Sequence, residues 1–365
     1  MKKIGLALLI IIVVILAIVV VGLILFLVLK PSSKRCGDGI CGPMEKAKGT
    51  CLQDCPVSND GNNQNDIPYY FIAVHLNPVR VENLDSEMAG DYNRGKQMIN
   101  YATQHNITLS LMFSAPWAEY ISKSPERMAE LEKWKQAGHE IGMHHHDIYH
   151  KGSWDGYTEA SLEEADRARR TLGEVPRKPS QPPENYVGTL NEFMTIMKKI
   201  NPNMNSGVAN ELEDKRTMPD ELLYSAASGY LNFGEPKVMW DGMNDPNRAI
   251  NNYVYVSKIN GITRKWLGYA HVMNSEQVES AKDTFNSMNS GQVFGAVMHT
   301  SEEEKDALFS LIDFLSSKDP TRGKSVVQAK IIKSGILTEV EIEFSVCGDN
   351  DCGDYETEIT CPEDC

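Results

Sequence analysis

Between Cys55 and Cys347 the chain contains no cysteine, so no thiol nucleophile is available anywhere in its long central region. That region also lacks a G-x-S-x-G elbow and a P-loop, which removes the usual serine-hydrolase and nucleotide-cradling signatures. Positive charge is scarce: 36 Lys and Arg against 50 Asp and Glu give a formal charge of −14. A nucleic-acid backbone calls for clustered Lys and Arg, so nucleic acid is not an expected partner. Gly37–Gly42 does satisfy G-x-G-x-x-G, but no strand precedes it and cysteines pin it, so it is no dinucleotide fingerprint. His139-Glu140 begins like a zinc-protease motif, yet the position that should hold the second histidine is Met143, and that mechanism fails.

What is present begins with an uninterrupted apolar run from Ile4 to Leu29, flanked by Lys2, Lys3, Lys30, Lys34 and Arg35. About 20 helical residues cross the hydrocarbon layer, and a signal peptide would have a shorter apolar core followed by a cleavage site. Residues 1–35 therefore read as an uncleaved transmembrane anchor. All eight cysteines fall in two clusters, Cys36, Cys41, Cys51, Cys55 and Cys347, Cys352, Cys361, Cys365. The two are copies: CGDGICGPMEKAKGTCLQDC and CGDNDCGDYETEITCPEDC share Cys-Gly-Asp, an acid four residues after the second cysteine and a closing Asp-Cys. Even numbers in short groups read as disulfide frameworks, and disulfides persist in oxidising compartments. The expected organisation is a single-pass cell-membrane protein with the bulk of the chain extracellular. It comprises an anchor (1–35), a Cys-rich module (36–55), a polar linker (56–66), a catalytic-sized domain (67–346) and a second Cys-rich module (347–365).

Within 67–346 the pattern alternates between strand-like and helix-like stretches. Tyr69–Leu76, Ile107–Ala115, HEIGMH, WLGYAHV and VFGAVMH read as strands. Gly95–His105, Pro125–Gly138, Leu162–Leu172, Leu190–Ile200, Ser275–Met288 and Glu302–Leu315 read as helices, the last with Ser301 and Glu304 as its cap. Such repetition predicts a parallel sheet, open or closed into a barrel. Lys330–Ser334 and Ile336–Phe344 read as a closing hairpin around Gly335.

Histidine is the informative residue. Five of nine lie in GHEIGMHHHDIYH, Gly138–His150, where a strand gives way to a loop, the place functional groups gather in parallel α/β folds. His144 and His146 share a face if the strand runs on; His146 and His150 share one if the chain then turns helical. His75 and His299 end two other strands, and in one sheet they would meet the same rim. Imidazoles so placed suit a borderline-soft divalent cation, and catalytic zinc keeps three protein ligands with an open position. The competing reading is an incidental polar loop. Trp240 and Trp266 fit either a sugar groove or the core, and Asn106-Ile-Thr is the one N-x-[ST] sequon.

KQAGHEIGMH, SLEEADRARRTLGEVPRKPSQPP and VFGAVMH, in that order, resemble the polysaccharide deacetylases (the NodB-homology domain, family 4 carbohydrate esterases) over about residues 68–335. The resemblance implies a distorted (β/α) barrel and a hydrolase that acts on C–N bonds other than peptide bonds, releasing acetyl groups from an N-acetylated glycan with a divalent metal, Zn²⁺ by preference. It assigns the general acid to His299 and a base-orienting role to Arg177, beside Pro179. Departures accompany it. The paired aspartates of the first motif are His75 and Leu76, and Gln181 stands for a glycine. The position four after His144 is Ile148, so His146 and His150 would serve with a shift, alongside His144 and His75. Asp147, Glu211 or Asp241 could supply the base, with Asp147 adjoining the cluster. The alternative implied by these losses is a degenerate domain that binds glycan or metal without turnover.

Overall fold

The structure is a computed structural model and describes residues 67–77, 84–148, 150, 154–172, 182–183, 185–208, 218–227, 249–259 and 261–341. The chain divides into two units, 1–61 and 62–365, and all that follows concerns the second. The apolar run Ile4–Leu29, all eight cysteines, Arg177, Pro179, Gln181, Glu211, Trp240 and Asp241 lie outside the described residues. Among the described residues no helix is long and apolar enough to cross a membrane.

Among the described residues eleven strands form one mixed sheet. In chain order they are β1 (Tyr69–Leu76), β2 (Leu109–Phe113), β3 (Glu140–His144), β4 (Ser206–Val208), β5 (Tyr224–Ala227), β6 (Ile250–Asn251), β7 (Tyr253–Ile259), β8 (Ile262–Gly268), β9 (Ala270–His271), β10 (Val293–His299) and β11 (Thr338–Glu341). They are ordered β11-β7-β8-β5-β4-β3-β2-β1-β10-β6, with β9 also on β10. The terminal members of this order are not paired among the described residues, so the sheet is a curled half-barrel, the open form of the two arrangements expected. Its centre is parallel, as the alternating pattern predicts; β7 pairs antiparallel with β8, and β6 with β10. β1 shows why the centre is parallel: YYFIAVHL is buried on both faces, as strands covered on both sides must be.

Helices α1 (Leu84–Gln104), α2 (Ala115–Ser122), α3 (Pro125–Gln136), α4 (Leu162–Thr171), α5 (Leu190–Ile200), α6 (Ser275–Ser287) and α7 (Glu302–Lys318) connect the strands. Ile72, Val74 and Leu76 of β1 join Leu131 and Trp134 of α3 and Leu308 and Leu311 of α7 in the outer core. The opposite face carries Phe71, Ala73, Met112, Val208, Leu267 and Val297, packed on Ile331 and Ile332. Those isoleucines belong to α8 (Gln328–Ser334), and here the expected hairpin is overturned. Gly335 has φ 69° and ends a helix, a left-handed position glycine tolerates equally in a C-cap and a turn. The strand after it, β11, lies parallel to β7. α8 is seated by polar contacts: Gln328 N–H donates to Ser110 Oγ (2.9 Å) and Ala329 N–H to Glu140 Oε2 (3.3 Å), while Gln328 Nε2 donates to Gly207 O (3.0 Å). Ser110 and Glu140 lie near the starts of their strands, so α8 closes the N-terminal mouth of the half-barrel.

The helix placed at Gly95–His105 starts earlier, at Leu84, and α2 had no sequence signal because Trp117 and Tyr120 follow directly on a strand. Trp266 belongs to the core; it is fully buried and its Nε1 donates to Ser257 Oγ at 2.6 Å, so it lines no groove.

Two predictions concern this framework. A Cβ on Gly295 would lie 2.4 Å from Gly268 O and 2.7 Å from the Phe71 ring. Gly295→Ala should therefore cost roughly 1–3 kcal/mol of overpacking, measured by denaturant unfolding; an unchanged midpoint would show that β10 can shift to admit a methyl. His139 accepts from Leu109 N–H at 2.9 Å, and its Nε2 meets Thr103 Oγ1 at 2.8 Å. Burial lowers its pKa from 6.5 to about 4, so the folded chain binds this proton more weakly than the unfolded one. The resulting stabilisation, on the order of 3 kcal/mol, is complete above about pH 6.5 and lost as pH falls toward 4. Stability measured across that window should slope less in His139→Gln; equal slopes in both proteins would assign the dependence elsewhere.

Candidate functional site

Parallel pairing brings several strand C-termini to one rim. His75 of β1 and His299 of β10 are register partners, and their ring centroids are 5.3 Å apart. Alternation along β1 places His75 on the side of Phe71 and Ala73, the inner face. β3 ends at His144, whose ring centroid is 4.3 Å from that of His75. His144 Nε2 lies 2.9 Å from Asn77 Oδ1 and 2.7 Å from His146 Nε2. The chain then turns, with His150 N–H donating to Asp147 O at 3.0 Å, and His150 stacks on His146 at 3.8 Å with 11° between the rings. His271, at the end of β9, lies 5.6 Å from His299 and 6.4 Å from His75. Six imidazoles thus run as a contiguous row.

The row is held from behind. The Asp155 carboxylate, fully buried, takes His145 Nδ1 at 2.7 Å and accepts from His146 N–H (3.1 Å) and Tyr157 N–H (3.0 Å). His145 is thereby drawn out of the row, its ring against Phe193. Buried Arg169 of α4 donates through Nη1 to Ile148 O (2.6 Å) and His150 O (2.9 Å), which fixes the turn carrying the last imidazole. Of the five clustered histidines, then, three face the rim and two, His139 and His145, are structural.

At the other end, Glu304 Oε2 accepts from His299 Nδ1 at 2.8 Å and from the His299 backbone N–H. Burial pushes the Glu304 carboxyl up, but hydrogen bonds from His299 and Ser301 and the charge of His299 outweigh it and hold it below its ordinary value. A carboxylate on Nδ1 sets the tautomer and leaves Nε2 as the working nitrogen. Burial first, then the charge of neighbouring imidazoles, holds His75 and His144 well below the usual histidine range, so both are neutral, the form that offers a lone pair. Both ring nitrogens of His75 and Nδ1 of His144 are buried without a hydrogen-bond partner.

The structure thus brings His75, His144, His146, His150 and His299 together, with Asp147 fully buried beside them. As the side chains stand, no group of three or more His, Cys, Asp or Glu among the described residues is arranged to hold a metal ion. Sequence reasoning missed His271, Asn77, Asp155 and Glu304. His271 was findable, because it ends the WLGYAHV run as His75 and His299 end theirs. Asn77 and Asp155 carry no comparable signal, since their roles arise from strand pairing and loop return.

No family model and no curated protein matches the chain. Among solved structures it is similar to a 4-alpha-glucanotransferase from Thermococcus litoralis (11% identity, TM-score 0.45), covering 77% of this chain and only 42% of that one. It is also similar to the peptidoglycan deacetylase PdaC from Bacillus subtilis, at 12% identity and TM-score 0.32, over 76% of this chain and 90% of that one. A third is a family 4 acetyl xylan esterase from Clostridium thermocellum in complex with a cobalt ion, at 12% identity and TM-score 0.29, over 74% and 87%.

Asp155 yields a prediction. Asp155→Ala leaves two backbone N–H groups and His145 without their acceptor, and breaking such a buried pair costs roughly 3–5 kcal/mol. Equilibrium unfolding should record that loss; a change below about 1 kcal/mol would mean the loop holds itself.

Proposed function

We propose that the domain is a metal-dependent carbohydrate deacetylase, removing N-acetyl or O-acetyl groups from an extracellular glycan. In this reading Ile4–Leu29 anchors the protein as a single membrane span and the two cysteine clusters are disulfide-bonded modules outside the cell. One observation carries the catalytic part. Histidines separated by more than 200 residues, of which His144 and His299 stand at deacetylase motif positions, meet on one rim of a parallel sheet.

The residues fit a divalent cation in donor chemistry. His144, His146 and His150 are the group that would hold it, with His75 adjoining; burial keeps the first strand-end imidazoles neutral, and two Nε2 atoms already approach to 2.7 Å. Such an ion, when bound, supplies Lewis-acid polarisation of the acetyl carbonyl and lowers the pKa of water. His299, oriented by Glu304, holds a proton at Nε2 for the departing amine. Asp147 is the base nearest the cluster in sequence; Arg177 would orient the base, as the resemblance implies. The glycan itself is bound above the rim, and water is excluded from the far side by α8.

A second reading, binding without turnover, draws on one observation. Leu76, where the family carries an aspartate, is packed in the outer core and offers no donor to the rim.

Purified full-length protein in detergent should release acetate from N-acetylated chito-oligosaccharide, peptidoglycan or acetylated xylan. Chelator should abolish the release and zinc restore it, and His299→Ala should lower the rate about 10²–10⁴-fold. Stoichiometric zinc with no acetate from any of the three would establish the binding reading instead. Unchanged zinc affinity in a His146→Ala, His150→Ala variant would remove the cluster from metal binding altogether. Mass mapping without reduction should find two bridges in each cysteine module; free thiols would reverse the assigned orientation.

A further inference from the structure

We infer that His75, His271 and His299 form a second cation site, taking a divalent borderline-soft ion, beside the one built on His144, His146 and His150. It rests on the deacetylase reading only for its effect on activity; ion binding itself stands apart from that reading.

The argument begins with spacing. A metal–imidazole bond of about 2.0–2.1 Å, plus roughly 1.1 Å from ring nitrogen to ring centre, sets imidazoles around one tetrahedral ion about 5 Å apart, centre to centre. His75, His271 and His299 form a triangle with sides of 5.3, 5.6 and 6.4 Å. The other three rings are more crowded, at 3.8 and 4.3 Å, and His75 itself stands 4.3 Å from His144, so His75 joins a crowded group to an open one. Torsion about the bond to an imidazole ring is soft, so turning the nitrogens toward the centre of the triangle needs no backbone change.

Donor state and outer partners agree. His75 lies fully buried with neither nitrogen hydrogen-bonded, an arrangement that costs free energy unless something else takes those lone pairs or protons. His299 gives its Nδ1–H to Glu304. A carboxylate behind the imidazole is the usual outer partner of a metal-bound histidine, and it leaves Nε2 for an ion. Tyr269 packs edge-on against both His75 and His271, at 5.4 and 5.6 Å, which walls the triangle on its inner side. Nothing in the motif resemblance assigns His271 a role.

The consequence for the proposed reaction is antagonism. Nε2 of His299 serves as proton donor or as ligand, one at a time, so an ion in the second site withdraws the general acid.

The test is a count of Co²⁺ bound by the full-length chain, by equilibrium dialysis, in the unaltered protein and in variants, so that ions held elsewhere cancel in the difference. The unaltered chain should bind one Co²⁺ more than His271→Ala, and a His144→Ala, His146→Ala variant should lose a different ion while keeping that one. His271→Gln serves if the alanine variant misfolds, and X-ray absorption should report nitrogen neighbours for the added ion. With zinc, acetate release should rise with the first equivalent and fall about a hundredfold with the second, the contribution of a positioned proton donor. Equal counts in the unaltered protein and both His271 variants would overturn the inference. An ion difference of one with no acetate released at any zinc level would support the second site and remove the enzyme reading.

Discussion

Everything at the rim depends on the parallel pairing of β1 with β10. That ladder sets His75 opposite His299 although 224 positions separate them in the chain. Because every central strand runs the same way, the ends of β1, β3, β9 and β10 lie on one edge, and alternation turns the same side of each strand inward. A register slip of one residue would send His75 into the outer core and bring Val74 or Leu76 to the rim. The apolar faces prevent this: Ile72, Val74 and Leu76 are committed to the helix side, Phe71 and Ala73 to the inner face. The hydrophobic core therefore fixes the polar site, and the imidazoles are carried to it.

The rim is supported by charged groups that do not join it. Asp155 draws one histidine away and ties the next backbone N–H, Arg169 holds the carbonyls that follow, and Glu304 takes the inner nitrogen of His299. Each satisfies a buried partner, which is the condition for placing charge in a protein interior. Within the row, His75 and His144 are held neutral by burial and keep ring nitrogens that no protein group takes.

Much of this was legible in the sequence where signals were long and redundant. Tyr69–Leu76, Leu190–Ile200 and Val293–His299 were bounded correctly, since an apolar run between polar breaks, or a stripe begun by a capping threonine, has one good solution. The convergence of His75 with His299 followed from both ending buried strands. Gly335 misled because a left-handed glycine ends helices and opens turns alike. The strands β4 to β6 were not seen, being segments of two to four residues whose pairing comes from distant partners, and β7 was passed over as well. His271 was passed over inside WLGYAHV although the rule used for His75 applied to it. His139 and His145 show the reverse error that a cluster invites: in sequence they look like neighbours of a site, and in space they brace strands and a loop.

The seating of α8 has a topographic consequence. With Ile331 and Ile332 wedged into the inner face and Gln328 bonded to β2 and β4, the half-barrel is a cup with a floor. Among the described residues, α8 covers that end of the inner face. Under the proposed reading, a long polymer would drape over the lip and present one substituent at a time, as trimming of side groups requires.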